Sequence, residues 1–430
     1  MVQEIRATYG MQKMREGIMV MECKDISQDS YDLQLLKEFD AIVIGAGFAG
    51  AVAARELAES CGKRVAVIEK RSHIGGNSHD CYDDNGVLIH KYGPHVFHTE
   101  SERAYEYLSR FTDWYDYKHK VVAYIRGYHV TVPFNINSVL ISFDEQTSQL
   151  MIGRLIRVFG RGGKTTVLEL RSHEDPIMRE LGEYVYQNVF LKYTIKQWGL
   201  RPEQIDPSVT ARVPVIVGRD DHYFQDPYQG VPKDGYTAAF ERILDHPNIE
   251  VLLNLDARQI LSLTGSDGED EGFTGVEVCG SPYEGIVIYT GALDELCDER
   301  FGLLPYRSLD FEYRRYDKNH VQPVGTINFT VHEDFTRTTE YTWLTGQEIE
   351  ASTIAVEYPC PYTDPATQIP YYPIINNENQ VFYDRYRKLF DKLGNFHALG
   401  RLAEYRYYNM DQIVLRALEL IDEISNDAPA

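Results

Sequence analysis

Apolar and polar positions follow different periods along the chain, and the changes of period divide it. Residues 1–38 are polar and mixed, with no sustained period. The pattern then sharpens: DAIVIGAGFAGAVAARELAES carries a continuous apolar run, Ala41–Ile44, through a glycine turn into a stretch with small residues along one helical face. KRVAVIEK follows as a second buried run ending at Glu69. Short continuous apolar runs bounded by turn signals read as buried strands, and the order strand–helix–strand predicts a βαβ unit.

Further along, apolar spacing suits helices from Tyr105 to Leu108 and from Leu168 to Val189. Between them VVAYIRGYHVTV (121–132) alternates, as antiparallel strands do. NIEVLLN, TGVEVCG and GIVIYTG read as strands, with the acidic, glycine-rich TGSDGEDEG (264–272) as a surface hairpin tip. Strands with aromatic alternation continue to about Val356, and MDQIVLRALELIDEI predicts a closing helix. The expected fold class is α/β. A Rossmann-like domain, discontinuous in sequence, takes residues 39–108, 230–263 and 390–430. A helical domain takes 138–204, an antiparallel β-sheet domain takes 109–137, 205–229 and 264–389, and 1–38 is an N-terminal extension.

Composition narrows the function classes. A chain of 430 residues needs more than one core, and 43% hydrophobic with 25% charged residues is a globular balance. No run of about 18 apolar residues predicts a membrane span. No apolar segment precedes Asp40, so a cytoplasmic protein without a secretory leader is expected. The six cysteines make no CxxC pair or zinc spacing, which reads as scattered reduced thiols and no metal. A net charge of −22 argues against a nucleic-acid surface. It also means that an anionic ligand needs specific arginines in a locally positive pocket.

Gly45-x-Gly47-x-x-Gly50 lies between the first strand and the helix, and Glu69 ends the second strand. That context makes a weak motif strong. Gly45 permits the tight turn, Gly47 (followed by Phe48 and Ala49) lets backbone approach a pyrophosphate, and Gly50 lets the helix pack on the strand. The helix N-terminus offers N–H groups to phosphate, and Glu69 can accept from ribose hydroxyls. The following run, Lys70-Arg71-Ser72-His73-Ile74-Gly75-Gly76-Asn77, resembles the flavoprotein pattern of the amine-oxidase and glutathione-reductase superfamily. That resemblance implies FAD as the cofactor.

Eight further strings resemble one family within that superfamily, the bacterial type of UDP-galactopyranose mutase. They are GPHVFHT (93–99), YTIKQWG (193–199), ARVPV (211–215), YFQDPYQGVPKDGYT (223–237), YTGALDEL (289–296), YRSLDFE (306–312), IPYYPI (369–374) and GRLAEYRYYNMD (400–411). The resemblance implies reversible conversion of UDP-galactopyranose to UDP-galactofuranose through a reduced-flavin N5–sugar adduct, with no net redox change. It implies an external reductant such as NAD(P)H and a homodimer. Arg212 and Arg307 stand where the family clamps the diphosphate, and forked hydrogen bonds suit arginine to that task. The segment from Trp198 to Arg212 looks like the family's mobile loop.

By the same resemblance Tyr193, next to Thr194, stacks on the uracil and Trp198 lies over the sugar end. Tyr223, Tyr341 and Tyr407 reach the diphosphate. His95 lies beside the flavin ring, where an imidazole changes charge or tautomer near neutral pH. His95 and His98 lack the further ligand spacing of a metal site. Arg401 and Met410 fall near the flavin. Three positions depart from the family: Asn409 stands where Asp is common, His119 where Asn is common, and Val189 where Phe is common. Two other classes remain open: an FAD-dependent oxidase or desaturase of the amine-oxidase type, and a non-catalytic module that binds UDP-sugar or FAD.

Overall fold

The computed structural model describes residues 21, 23–28, 31–202, 214–265, 268 and 271–427. The βαβ unit read from the sequence lies at the centre of a six-stranded sheet. Its order is Cys23–Asp25, Ile249–Leu253, Val65–Glu69, Ala41–Ile44, Ile286–Tyr289, Phe396–Ala398, and every neighbouring pair is parallel. A parallel sheet is covered on both faces, which is why Ala41–Ile44 and Val65–Glu69 are buried throughout. The helix Phe48–Glu59 buries a run of small residues, Ala49 to Ala54, in a core shared with Val414, Ala417 and Ile421 of the closing helix Met410–Asp427.

Two strands of this sheet lie outside the segments assigned to it from the sequence. Ile286–Tyr289 falls within the stretch read as antiparallel sheet, yet it pairs parallel to Ala41–Ile44. Its continuous apolar run, without polar alternation, is the signature of a strand covered on both faces. Cys23–Asp25, inside the residues left as an extension, is an edge strand on Ile249–Leu253. It is held there by Lys24 to Glu250 at 2.6 Å and by Asn254 Nδ2 donating to Asp25 at 2.7 Å.

A seven-stranded sheet forms the second layer, in the order Tyr372–Pro373, Tyr306–Tyr316, Ser352–Pro361, Arg337–Glu340, Thr326–Phe329, Val121–Ile125, Tyr128–Val132. The expected antiparallel character holds except at one pair. Thr326–Phe329 and Val121–Ile125 run parallel, because the chain passes through the helical part before returning beside its own earlier hairpin. That hairpin turns at Arg126 and Gly127, both at positive φ (50° and 92°), which suits the tight two-residue turn.

The helical part packs Ile136–Ser142, Glu145–Phe159, Val167–Ser172, Pro176–Val185 and Leu191–Trp198 around a common core that includes Met151, Leu170 and Tyr186. The helix expected over 168–189 is split. Pro176 opens a new helix at its first turn, and Asp175 caps it by accepting from the Ile177 N–H at 2.9 Å. No described helix is long and apolar enough to cross a membrane.

Candidate active site

Ile44, Glu69 and Tyr289, which end three central parallel strands, line a cavity of about 440 Å³. Ligands of open α/β sheets bind at this carboxyl edge. Gly45 sits at φ +99°, and a Cβ there would meet Thr290 Oγ1 at 2.1 Å. Gly50 does not line the cavity. It packs against the first turn, where a Cβ would lie 1.9 Å from the Gly45 carbonyl oxygen. Gly76, at φ +55°, faces Gly47 so closely that a Cβ would approach its Cα to 3.0 Å. Two glycine turns thus leave a cradle with no side chains between them.

The residues around that cradle suit a dinucleotide. The helix Phe48–Glu59 begins with no side-chain cap, so its N-terminal N–H groups remain for a ligand. Glu69 accepts from the Ala46 N–H at 2.9 Å and the Arg71 N–H at 3.0 Å, one on each oxygen, which leaves lone pairs for ribose hydroxyls. Arg71 donates from Nη2 to Asn77 and lies over the Tyr92 ring. Its Nη1 is buried with no partner among the described residues. An orphaned buried guanidinium nitrogen is costly unless a ligand completes it. Lys70 sits at the rim, paired with Glu295 at 3.0 Å.

This crevice opens into a larger cavity of about 780 Å³. Six residues line both: Asn77, His95, Tyr371, Arg401, Asn409 and Met410. Tyr193, Tyr223, Tyr407 and His119 line the larger one, as expected. Arg401 is fixed at the junction by two carbonyls, Tyr408 at 2.6 Å and Tyr371 at 3.2 Å. Its guanidinium lies 4.8 Å from the centre of the Tyr407 ring, and Tyr407 stacks on Tyr372 with centroids 6.0 Å apart.

The imidazoles here are not poised near neutrality, contrary to the expectation for His95. Burial pushes His95 down to about 3, helped by the neighbouring His90, and burial does the same to His119. Both are neutral rings that can still hydrogen-bond; His119 Nδ1 lies 3.2 Å from the Tyr117 hydroxyl.

Several expected site residues lie elsewhere. Tyr341 is fully buried, lines neither cavity, and donates to the His90 carbonyl at 2.8 Å. Arg307 is also buried. It donates to the carbonyls of Gln197 (2.9 Å) and Lys196 (3.0 Å), near the end of the helix Leu191–Trp198, where a cation meets the negative pole of the helix. Trp198 lies 5.6 Å from the Tyr372 ring without lining the cavity. Thr194 and Val189 are buried in the helical part. Arg212 lies outside the described residues.

Arg337 and Tyr372 are among the lining residues not singled out from the sequence. Arg337 enters the larger cavity from the seven-stranded sheet, tied to Glu357 by contacts of 2.7 and 2.8 Å. Burial works against its charge, but the Glu357 carboxylate overrides that and holds it protonated. Tyr372 belongs to the noted string IPYYPI, but nothing in that string separates a lining tyrosine from a core one.

Crevice and chamber together define an enzyme that uses a bound dinucleotide beside a polar, cation-bearing substrate cavity. Comparison with known proteins makes this specific. The family model for UDP-galactopyranose mutase matches residues 188–407, and that for an NAD(P)-binding Rossmann-like domain matches 43–111. A UDP-galactopyranose mutase of Mycoplasma pneumoniae is 33% identical over 394 residues, covering 90% of this chain and 96% of its own. A dTDP-fucopyranose mutase of Escherichia coli is 33% identical over 383 residues, covering 88% and 96%. Among solved structures, a reduced UDP-galactopyranose mutase shares the fold with a TM-score of 0.67 at 18% identity, over 90% of this chain and 94% of that one. The chain belongs to the UDP-galactopyranose mutase family, flavin-dependent isomerases of nucleotide-bound sugars.

Proposed function

We propose that this protein is a UDP-galactopyranose mutase, interconverting UDP-galactopyranose and UDP-galactofuranose with FAD in its reduced form and no net redox change. The observation that supports the reading is the shared wall of the two cavities: a flavin held in the crevice and a sugar held in the chamber would meet the same six side chains. Bound reduced flavin supplies a nucleophile for the anomeric carbon.

The chain's own residues handle the leaving group. Departure of UDP leaves charge on the diphosphate, and Arg337 is a half-buried cation already in the cavity wall. Its Glu357 partner keeps the guanidinium charged and oriented. Tyr223, Tyr372 and Tyr407 line the same cavity with phenolic groups suited to phosphate oxygens. Tyr193 offers its face to the base. Arg307 would join the clamp only by exchanging the Lys196 and Gln197 carbonyls for phosphate. Asn409 is a neutral amide at the junction, so it orients a hydroxyl without acting as a base.

The reading carries further expectations: electrons from an external reductant such as NAD(P)H, a cytoplasmic location, and a homodimer. Exposed Leu140, Ile141 and Leu150 on the helical part offer apolar surface for that association. Substrate choice is tested by giving the reduced protein UDP-galactofuranose and dTDP-fucofuranose in separate reactions. A higher kcat/KM for the uridine compound supports the assignment, and a higher value for the thymidine compound replaces it.

A further inference from the structure

His95 stands where the two cavities meet, and three of its four polar atoms are already committed. Its backbone N–H donates to Nδ1 of His90 at 2.9 Å, and its carbonyl accepts from the Tyr236 hydroxyl at 3.3 Å. Its ring Nδ1 lies 2.8 Å from the Gly93 carbonyl oxygen. A carbonyl only accepts, so the proton must sit on Nδ1, and the neutral ring carries its lone pair on Nε2. No described residue hydrogen-bonds to that nitrogen.

His90 lines neither cavity and is completely buried. Because its Nδ1 accepts an N–H, its own proton is on Nε2, and that nitrogen has no hydrogen-bond partner among the described residues. Protonating His90 would set one N–H against another, so it serves only as a neutral ring. Its carbonyl is held by the hydroxyls of Tyr341 at 2.8 Å and Tyr313 at 3.2 Å. This gives Tyr341 a structural task behind the site. The groups that act on His95 from other elements, Arg401 and Arg337, are cations and oppose its protonation too.

We propose that His95 is a permanent hydrogen-bond acceptor at the cavity junction, its tautomer fixed by the Gly93 carbonyl and its Nε2 lone pair reserved for an O–H or N–H of the bound ligand, and that His90 is the positioning residue that, by holding the His95 backbone N–H, keeps the ring against that carbonyl. Only the identity of the donor rests on the mutase reading. A residue in this state orders a hydroxyl or a flavin N–H and never supplies a proton. It therefore excludes the acid role that an imidazole of ordinary basicity would bring to the same place.

The test is nitrogen NMR of the full chain, loaded with FAD and labelled at histidine, with the His95 ring assigned by His95→Gln. Between about pH 5.5 and 8, where ordinary imidazoles titrate, the His95 ring is expected to stay protonated on Nδ1 and bare on Nε2. In His90→Leu the ring, no longer held against the Gly93 carbonyl, should become a mixture of tautomers, while His90→Gln, which keeps an acceptor, should restore the single form. Titration of wild-type His95 in this window, a proton on Nε2, an unchanged His95 in His90→Leu, or a mixed ring in His90→Gln overturns the proposal. If His90→Leu does not fold, the wild-type titration and His90→Gln still decide. Movement of the Nε2 signal on adding UDP-galactose identifies a sugar donor, and movement on reducing FAD alone identifies a flavin donor. No movement in either case overturns the acceptor role. None of these readouts needs turnover; the tautomer and its pH dependence stand or fall apart from the mutase assignment, and only the UDP-galactose arm rests on it.

Discussion

Arg337 and Glu357 face each other as a cross-strand pair in the seven-stranded sheet, joined by contacts of 2.7 and 2.8 Å at the wall of the substrate cavity. Thr336 Oγ1 donates to the other carboxylate oxygen at 3.3 Å, so Glu357 is bound on both sides. Removing one partner strands the other in a buried position, at a cost of about 3–5 kcal/mol. Arg337→Met is therefore expected to lower the urea midpoint clearly and to weaken UDP binding about tenfold or more. The double variant Arg337→Met/Glu357→Met should recover much of the stability and none of the binding. Urea unfolding and UDP titration separate the two effects.

Gly50 has no room for a methyl group, since its Cβ would lie 1.9 Å from the Gly45 oxygen. Gly50→Ala is expected to push the helix Phe48–Glu59 off the sheet and distort the cradle. Overpacking of this kind costs about 1–3 kcal/mol. The purified variant should carry little flavin, which its visible absorbance reports, whereas Gly153→Ala, in open space within the helix Glu145–Phe159, should keep its colour.

Buried histidines make the fold acid-sensitive. Burial holds His90, His95 and His119 down to about 3 from an ordinary 6.5. The unfolded chain then binds protons that the native chain refuses, so stability is full above about 6.5 and falls as pH drops toward 3. Each ring contributes up to about 1.4 kcal/mol per pH unit in that window. Urea midpoints measured from about pH 7 to 4.5 should fall steeply, and His119→Asn should make the slope shallower.

Asp294 works in the opposite direction. Burial raises its carboxyl to about 6; Oδ2 accepts from the Leu304 N–H at 2.8 Å, and Oδ1 is buried with no partner among the described residues. The native state holds this proton longer than the unfolded chain does. Stability from this group is present at low pH and lost as pH rises from about 4 to 6. Asp294→Asn keeps the Leu304 contact and removes the ionisation. It is expected to be more stable than wild type at neutral pH, by up to about 3 kcal/mol, and equal to it near pH 4.

The nucleotide crevice was the most legible part of the molecule because its requirements are local. Gly45, Gly47, Gly50 and Glu69 lie within one βαβ unit, and their roles follow from chain geometry over 25 residues. Strand partners were harder. Ile286–Tyr289 looks apolar enough for any buried sheet, and only the assembled fold sets it beside Ala41–Ile44. Arg337 was invisible for a related reason: its value comes from Glu357, which becomes its neighbour only through strand register. The tyrosines mark the limit of composition. Tyr341 and Tyr372 both lie in aromatic strings, but one donates to a buried carbonyl and the other lines the cavity. Likewise His95 carried a signal for function without any for its protonation, which burial decides.

The most direct test of the account is to incubate the purified protein with UDP-galactofuranose, with and without dithionite, and to separate the sugar nucleotides by chromatography. UDP-galactopyranose is expected only in the reduced sample, with the flavin still reduced when conversion is complete. Equal conversion by the oxidised protein, or flavin oxidised in step with product, would contradict a redox-neutral mutase that depends on reduced FAD.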